Sequence, residues 1–441
     1  MRSARSGFNK QTESEVVEKT RKLGGVPFLG LVQDGGIELA MARSIAAICH
    51  LEYDTQTGRE KVEEIAIIGA RSLGQIAAAD LTLRGFRVNL YEEPKNQELL
   101  EPLVLQGGID LLFERYYTVH TKPTLAFDRI GFAKPNKVTT DIAEAVSDAG
   151  IIVVAVHAYR HEDIAELLAP HLKEGQTIVI SAGNIGSLIF AKTFREKNVR
   201  VKFLLAETCP SLYGGRFGPE YGLGEGQCAT PNVVFIDPED RRARTTLVSA
   251  FPAVDTQAVV ERLRRIFKVE SGSNVLEVAL SNENLFTHVP MCILSTSWIE
   301  KSEGHFRLHL QALTPSVERV RASMRHERDA IFRLMGWSAR RLTHMDASGS
   351  RIPSPITLHI GPTSLDKHRF IAEDAQIGDT FLTSFGDMVG VPTPTTKALV
   401  HMASVINQTD YFKTGRTVEK AGIAGLGINQ VNQFLREGHL G

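Results

Sequence analysis

Residues 64–93, EIAIIGARSLGQIAAADLTLRGFRVNLYEE, constrain the fold more than any other stretch. An apolar strand runs into Gly69, a helix opens near Ser72, and a second apolar strand ends at Glu92 and Glu93. Strands this apolar are buried on both faces, as in a parallel sheet covered by helices. The turn between strand and helix reads G-A-R-S-L-G, with Arg71 where a phosphate-binding G-x-G-x-x-G loop has its second glycine.

The alternation continues. Strands IIVVAV, QTIVISAG and VKFLLAE are separated by helical patterns over residues 161–172 and 187–196. This predicts an α/β Rossmann-like doubly wound parallel sheet over residues 61–271. Strand patterns then stop. NVLEVALSNENLFTHVPMCILSTSWIEK reads as one long helix, SVERVRASMRHERDAIFRLMG as a helix ending at Gly336, and residues 378–412 as two more broken at GVPTP. An all-helical C-terminal domain is expected over 272–441, and a helical N-terminal extension over 1–60.

A chain of 441 residues exceeds one ordinary core, which agrees with two main domains. Hydrophobic residues at 43% and charged ones at 23% fit a folded chain, and a net charge of -1 gives no basic surface for nucleic acid or anionic lipid. Cys49, Cys209, Cys228 and Cys292 are scattered, so reduced thiols are expected rather than disulfides or a metal site. The basic start MRSARSGFNK has no apolar segment after it, and no run reaches the ~18 apolar residues of a membrane span. A cytoplasmic protein is expected.

The loop and its surroundings suggest a dinucleotide. Gly69 supplies the tight turn and Gly74 lets the helix approach the strand, while Ala70, Ser72 and Leu73 offer backbone amides at a helix N-terminus. Arg71 obstructs close approach, yet its guanidinium suits a phosphate. Glu92 stands where an acid bonds the adenosine ribose, which favours NAD(H) over NADP(H).

SNENLFTHVP places Asn284 and His288 four residues apart, on one helical face, at the start of the second domain. Here the chain resembles the octopine/nopaline (opine) dehydrogenase family. The resemblance runs from about residue 64 to 440 and includes TTDIAEAVSDAG, SAGNIGS, LAETCPSLYGGR, TPSVERV, HRFIAED, GVPTPTTKALV and GRTVEKAGIAGLG. It implies a Rossmann domain and a helical domain with catalysis between them. The implied reaction joins an amino acid to an α-keto acid and reduces the imine with NAD(P)H. It also implies that His288 exchanges a proton with the reacting centre, a task suited to imidazole, while Asn284 holds the reacting groups.

The family places an aspartate, in a D-x-E-R pattern, on the helix after TPSV; this chain reads R-H-E-R, with Arg325 in that place. Arg325 is therefore a candidate anchor for a substrate carboxylate. Further candidates follow strands at the sheet's carboxyl edge: His161, Asn184, Glu207 and Thr208; Arg216 in YGGR is a candidate holder of a carboxylate. Asn184 would meet nicotinamide and the others substrate. Arg369, Glu373 and Asp374 read as a salt-bridged helix start. The leading expectation is an opine-dehydrogenase-like oxidoreductase, a homodimer acting on small molecules. The alternative is a redox-neutral or binding protein on the same scaffold, because Arg71 and Arg325 replace family features. A third reading, a ketopantoate-reductase-like enzyme, typically depends on a catalytic lysine in the helical domain, and none of the lysines there stands out as its counterpart.

Overall fold

In the computed structural model, residues 63–113, 131–217, 233–236, 246–303, 305–338, 364–365 and 368–440 are described; the expected extension over 1–60 lies outside them. Strands, numbered in chain order, are β1 (Glu64–Ile68), β2 (Arg87–Tyr91), β3 (Ile109–Phe113), β4 (Gly131–Ala133), β5 (Lys137–Thr139) and β6 (Ile151–Val154). Then come β7 (Thr177–Ile180), β8 (Leu204–Cys209), β9 (Gly215–Phe217), β10 (Val233–Ile236), β11 (Thr246–Ala250) and β12 (Val269–Ser271).

The main sheet has the order β12-β11-β8-β7-β6-β1-β2-β5. From β8 to β5 every neighbouring pair is parallel, as the apolar strands predicted. The order reverses between β1 and β6, where Ile68 pairs with Val154, so a crevice opens at the carboxyl ends of these two strands. The sheet is not wholly parallel: β11 runs antiparallel to β8. A second sheet, β4-β3-β10-β9, was not legible in the sequence; its strands are short and its pairings long-range.

Side chains alternate across β1. Ile65 and Ile67 pack with α1 (Ser72–Leu83) on one face. Ala66 and Ile68 pack with α2 (His161–Leu168) and α3 (Gly186–Glu196) on the other.

A third apolar cluster fills the helical half. Its helices are α4 (Val275–Leu280), α5 (His288–Leu294), α6 (Pro315–Met335), α7 (Thr380–Val389), α8 (Pro394–Ile406) and α9 (Ile428–Glu437). A π-helical segment, Phe370–Asp379, runs directly into α7. Thr314 caps α6, and Gly336 ends it with φ 73°.

The expected long helix after 274 is broken. Asn274 caps α4, Ser281 Oγ donates back to the Glu277 carbonyl at its end, and Asn282 Oδ1 accepts from the Asn284 amide. These polar side chains satisfy the backbone locally and free residues 281–287 to turn before α5 begins. No helix of the described residues is long and apolar enough to cross a membrane.

Candidate active site

The loops after β1, β2, β6 and β7 share one edge of the sheet. Gly69 has φ +104°, and a side chain there would meet the Ala155 carbonyl at 2.8 Å. A Cβ on Gly74 would lie 1.7 Å from the Gly69 carbonyl oxygen, so this glycine is what lets α1 start against the turn. Arg71 is the exposed N-cap residue of α1, and no side chain among the described residues caps the helix. The first-turn amides and the helix dipole thus face the loop without a side-chain acceptor, which fits a pyrophosphate.

Glu92 is 5% exposed and organises the loop itself. It accepts from the Ala70 amide at 2.7 Å, from the Glu93 amide at 3.0 Å and from Asn96 Nδ2 at 3.0 Å. Beside it Glu93 pairs with Arg160 at 2.7 Å and with Lys95 at 3.2 Å. Tyr159 stacks on His157 with centroids 5.3 Å apart, and the charge of Arg71 reaches it.

His288 opens α5, and its Nδ1 lies 2.7 Å from Asp374 Oδ2 of the π-helical segment. Both residues are buried. Phe370 covers one face of the imidazole, with centroids 3.8 Å apart and planes at 20°, and His309 meets it edge-on at 5.5 Å. The Arg369 guanidinium lies over the Phe370 ring, 4.8 Å from its centroid. Gly378 makes the approach of the two segments feasible: a Cβ there would lie 2.1 Å from Leu285 Cδ2, three residues before His288.

The carboxylate beside His288 therefore comes from HRFIAED rather than from the helix after TPSV. Neither acid near Arg325 substitutes: Glu327 accepts from the Thr395 and Thr396 amides and from Thr396 Oγ1 at the start of α8, and Asp329 pairs with Arg328 at 2.6 Å.

Arg325 is engaged elsewhere than expected. Its Nε donates to Glu283 at 2.8 Å and its Nη1 to Glu318 at 3.1 Å. Arg321 and Arg328 share its face of α6 and donate to the carbonyls of Phe286 and Leu280. This stripe at helical spacing ties down the turn that leads to His288.

Asn284 is exposed, and its carbonyl accepts from the His288 amide at 2.9 Å. The buried amide pair here is instead Asn282 with Asn184, at 2.9 Å. Asn184 has φ 45° and stands at the carboxyl end of β7, before α3. Glu207 and Thr208 lie within β8 rather than after it. Glu207 accepts from the Ile185 amide, the Ser187 amide and Ser187 Oγ; burial pushes its carboxyl up against these bonds. Thr208 Oγ1 accepts from the Ala182 amide at 3.3 Å. Both residues shape the loop that holds Asn184. His161 is fully buried and packs edge-on against Phe190. Burial, and next the charge of Arg416, keep it well below the ordinary imidazole range. Arg216 pairs through its backbone with Phe235, and its side chain lies outside what is described.

Sequence reasoning missed Arg416, which is buried and donates to the carbonyls of Ala158 and Asn184. Its motif, GRTVEKAGIAGLG, was a signal without a role attached. Among the described residues no group of three or more His, Cys, Asp or Glu is placed to hold a metal.

A sheet in dinucleotide-binding order, capped at its carboxyl edge by a helical half bearing a His–Asp pair, defines a two-part Rossmann architecture. Residues 271–407 match the family model described as NAD/NADP octopine/nopaline dehydrogenase, alpha-helical domain. The helical half of the chain is therefore similar to that of the opine dehydrogenases. It is 27% identical over 385 residues to the opine dehydrogenase of Arthrobacter sp. (strain 1C), covering 82% of this chain and 95% of that one. Two solved structures share the fold. Apo yersinopine dehydrogenase has a TM-score of 0.60 at 14% identity, covering 84% of this chain and 98% of its own. Octopine dehydrogenase with NADH and pyruvate has a TM-score of 0.60 at 13% identity, covering 86% and 99%.

Proposed function

We propose that this protein is an NAD(P)H-dependent dehydrogenase acting on a C–N bond, joining an amino acid to an α-keto acid. The observation that carries the reading is the His288–Asp374 pair, 2.7 Å apart, on a helical half docked at the sheet's carboxyl edge. The 27% identity to an opine dehydrogenase over most of the chain supports it, as does the solved octopine dehydrogenase, whose ligands are NADH and pyruvate.

The nicotinamide coenzyme would supply hydride. The turn Gly69–Gly74 would hold its pyrophosphate on the α1 amides, with Arg71 as an added cation. Glu92 fixes the loop, and its carboxylate would repel the 2′-phosphate of NADP(H), which favours NAD(H). Asp374 accepts from His288 Nδ1 and orients the ring, so proton exchange with substrate falls to Nε2. Phe370 excludes water from one imidazole face. Arg369, whose guanidinium lies 4.8 Å from the Phe370 centroid and so close to the His288–Asp374 pair, is a second candidate anchor for a keto-acid carboxylate beside Arg325. Association through the helical half, where Trp298 is 61% exposed and Leu294 46%, belongs to the same reading.

The redox-neutral alternative loses one of its two motives, since Asp374 supplies the carboxylate that Arg325 lacks. NADH or NADPH oxidation is measured with pyruvate, oxaloacetate or 2-oxoglutarate, each with and without mixed amino acids. Oxidation that needs both partners supports the reading. Oxidation with a keto acid alone means simple carbonyl reduction. Saturable coenzyme binding with no oxidation under any pairing returns the redox-neutral protein.

A further inference from the structure

We propose that Glu373 is a positioning residue for the His288–Asp374 pair, acting with Arg416 to lock the segment that carries Asp374 onto the loop after β6. The proposal rests on the functional reading above for its catalytic consequence.

Two groups of the helical half hold one residue of the sheet-edge loop from both ends. Glu373 Oε1 accepts from the Ala158 amide at 2.8 Å, and Arg416 Nη2 donates to the Ala158 carbonyl at 2.8 Å. Glu373 Oε2 faces His157 Nδ1 at 3.3 Å, and Arg416 Nη1 reaches across to the carbonyl of Asn184. The loops after β6 and β7 are thus pinned to the helical half by the same two side chains.

Electrostatics hold both groups in their charged forms. Burial works to raise the Glu373 carboxyl, but the hydrogen bond and charge of His157, the charge of Arg369 and the Ala158 amide outweigh it, and it settles at about 2. Burial brings Arg416 down to about 10, against the nearby charges of Glu207, Glu373 and Glu162, so it remains a cation at neutral pH. Charge-assisted hydrogen bonds from partly or wholly desolvated groups are the stiffest contacts available here.

Glu373 and Asp374 are consecutive. Consecutive residues of a π-helical turn leave the axis in different directions. One side chain meets the sheet-edge loop while the next meets His288. The loop gripped by Glu373 also touches the dinucleotide turn, because the Ala155 carbonyl occupies the space a Gly69 side chain would need. The position of Asp374 is therefore referred, through Glu373, to the edge where a nicotinamide would lie. A positional error of an ångström there is worth about 10²-fold in rate.

The test compares Glu373→Ala, which removes both acceptors, with Glu373→Gln, which keeps a carbonyl oxygen for the Ala158 amide. Three readouts are taken on the full chain: amide exchange of residues 155–160, the His288 imidazole titration by NMR without coenzyme, and kcat with coenzyme affinity. Glu373→Ala is expected to speed exchange in the loop, to move the His288 midpoint and to lower kcat by about 10²-fold. Coenzyme affinity should hold within about threefold, and Glu373→Gln should recover most of kcat. An unmoved His288 titration with an unchanged loop in Glu373→Ala overturns the proposal, as does a Gln variant no better than Ala. If the parent protein turns over no amine and keto-acid pair, the functional reading fails, while the exchange and titration data still decide this one. Should Glu373→Ala not fold, Arg416→Lys reports on the same grip.

Discussion

His288 and Asp374 lie 86 residues apart in sequence, and their side chains meet at 2.7 Å. Replacing the acid with its amide keeps the shape and removes the charge that orients and polarises the ring. Asp374→Asn and His288→Asn should each lower kcat by about 10²- to 10⁴-fold while coenzyme binding persists. Steady-state kinetics with a fluorescence titration of NADH check this. A variant that keeps kcat within threefold would remove His288 from the chemistry.

Arg325 and Arg369 have opposite expected phenotypes. Arg325→Ala breaks pairs with Glu283 and Glu318 that anchor the turn before His288, and it should cost about 1 kcal/mol in urea unfolding with little change in keto-acid KM. Arg369→Ala should raise that KM at least about tenfold. Interchanged results would restore Arg325 as the substrate anchor.

The coenzyme loop makes a binding prediction that needs no turnover. NADH should bind more tightly than NADPH, and Glu92→Ser should narrow or reverse that order. Arg71→Gly should weaken both coenzymes if the guanidinium meets the pyrophosphate, and NADPH alone if it meets a 2′-phosphate. Tighter binding of both after Arg71→Gly would show that the side chain merely obstructs.

Asp379 is fully buried, and neither carboxyl oxygen has a hydrogen-bond partner among the described residues. Burial, then the charges of Asp374 and Glu327, push it well above its ordinary value of 3.8. The native state holds a proton that the unfolded chain releases above that value, so this group lowers stability as pH rises through it. Asp379→Asn should be more stable than the parent by about 1–3 kcal/mol at pH 7, with the gap closing below about pH 3.8. Chemical denaturation at both pH values measures it, and an Asn variant less stable at pH 7 would contradict the assignment.

Gly378 offers a steric check. Its substitution by Ala drives a methyl into Leu285, on the segment that ends in His288. Stability should fall by about 1–3 kcal/mol, and kcat should fall further than stability explains. A fully active Gly378→Ala protein would show that the π-helical segment can shift without disturbing the pair.

Several features were legible because their causes are local. The apolar runs of β1, β6 and β7, the glycine turn before α1 and the stop at Gly336 each follow from residues close in sequence. Harder features were those in which distant side chains compete for one partner. The helix expected across residues 281–287 gave way to Asn and Ser side chains that satisfy the backbone themselves. The second sheet joins strands from remote parts of the chain.

The sequence alone determined a dinucleotide-type sheet, a helical second half and a histidine at their meeting point, since periodicity and turn chemistry act over a few residues. Tertiary structure decided which acid serves that histidine and what the arginines do. The π-helical segment, with Gly378 admitting Leu285, brings Asp374 within hydrogen-bond reach. Glu283 and Glu318 meanwhile consume the charge of Arg325. A hydrogen bond depends on where two atoms lie to within half an ångström, and only the packed chain sets that.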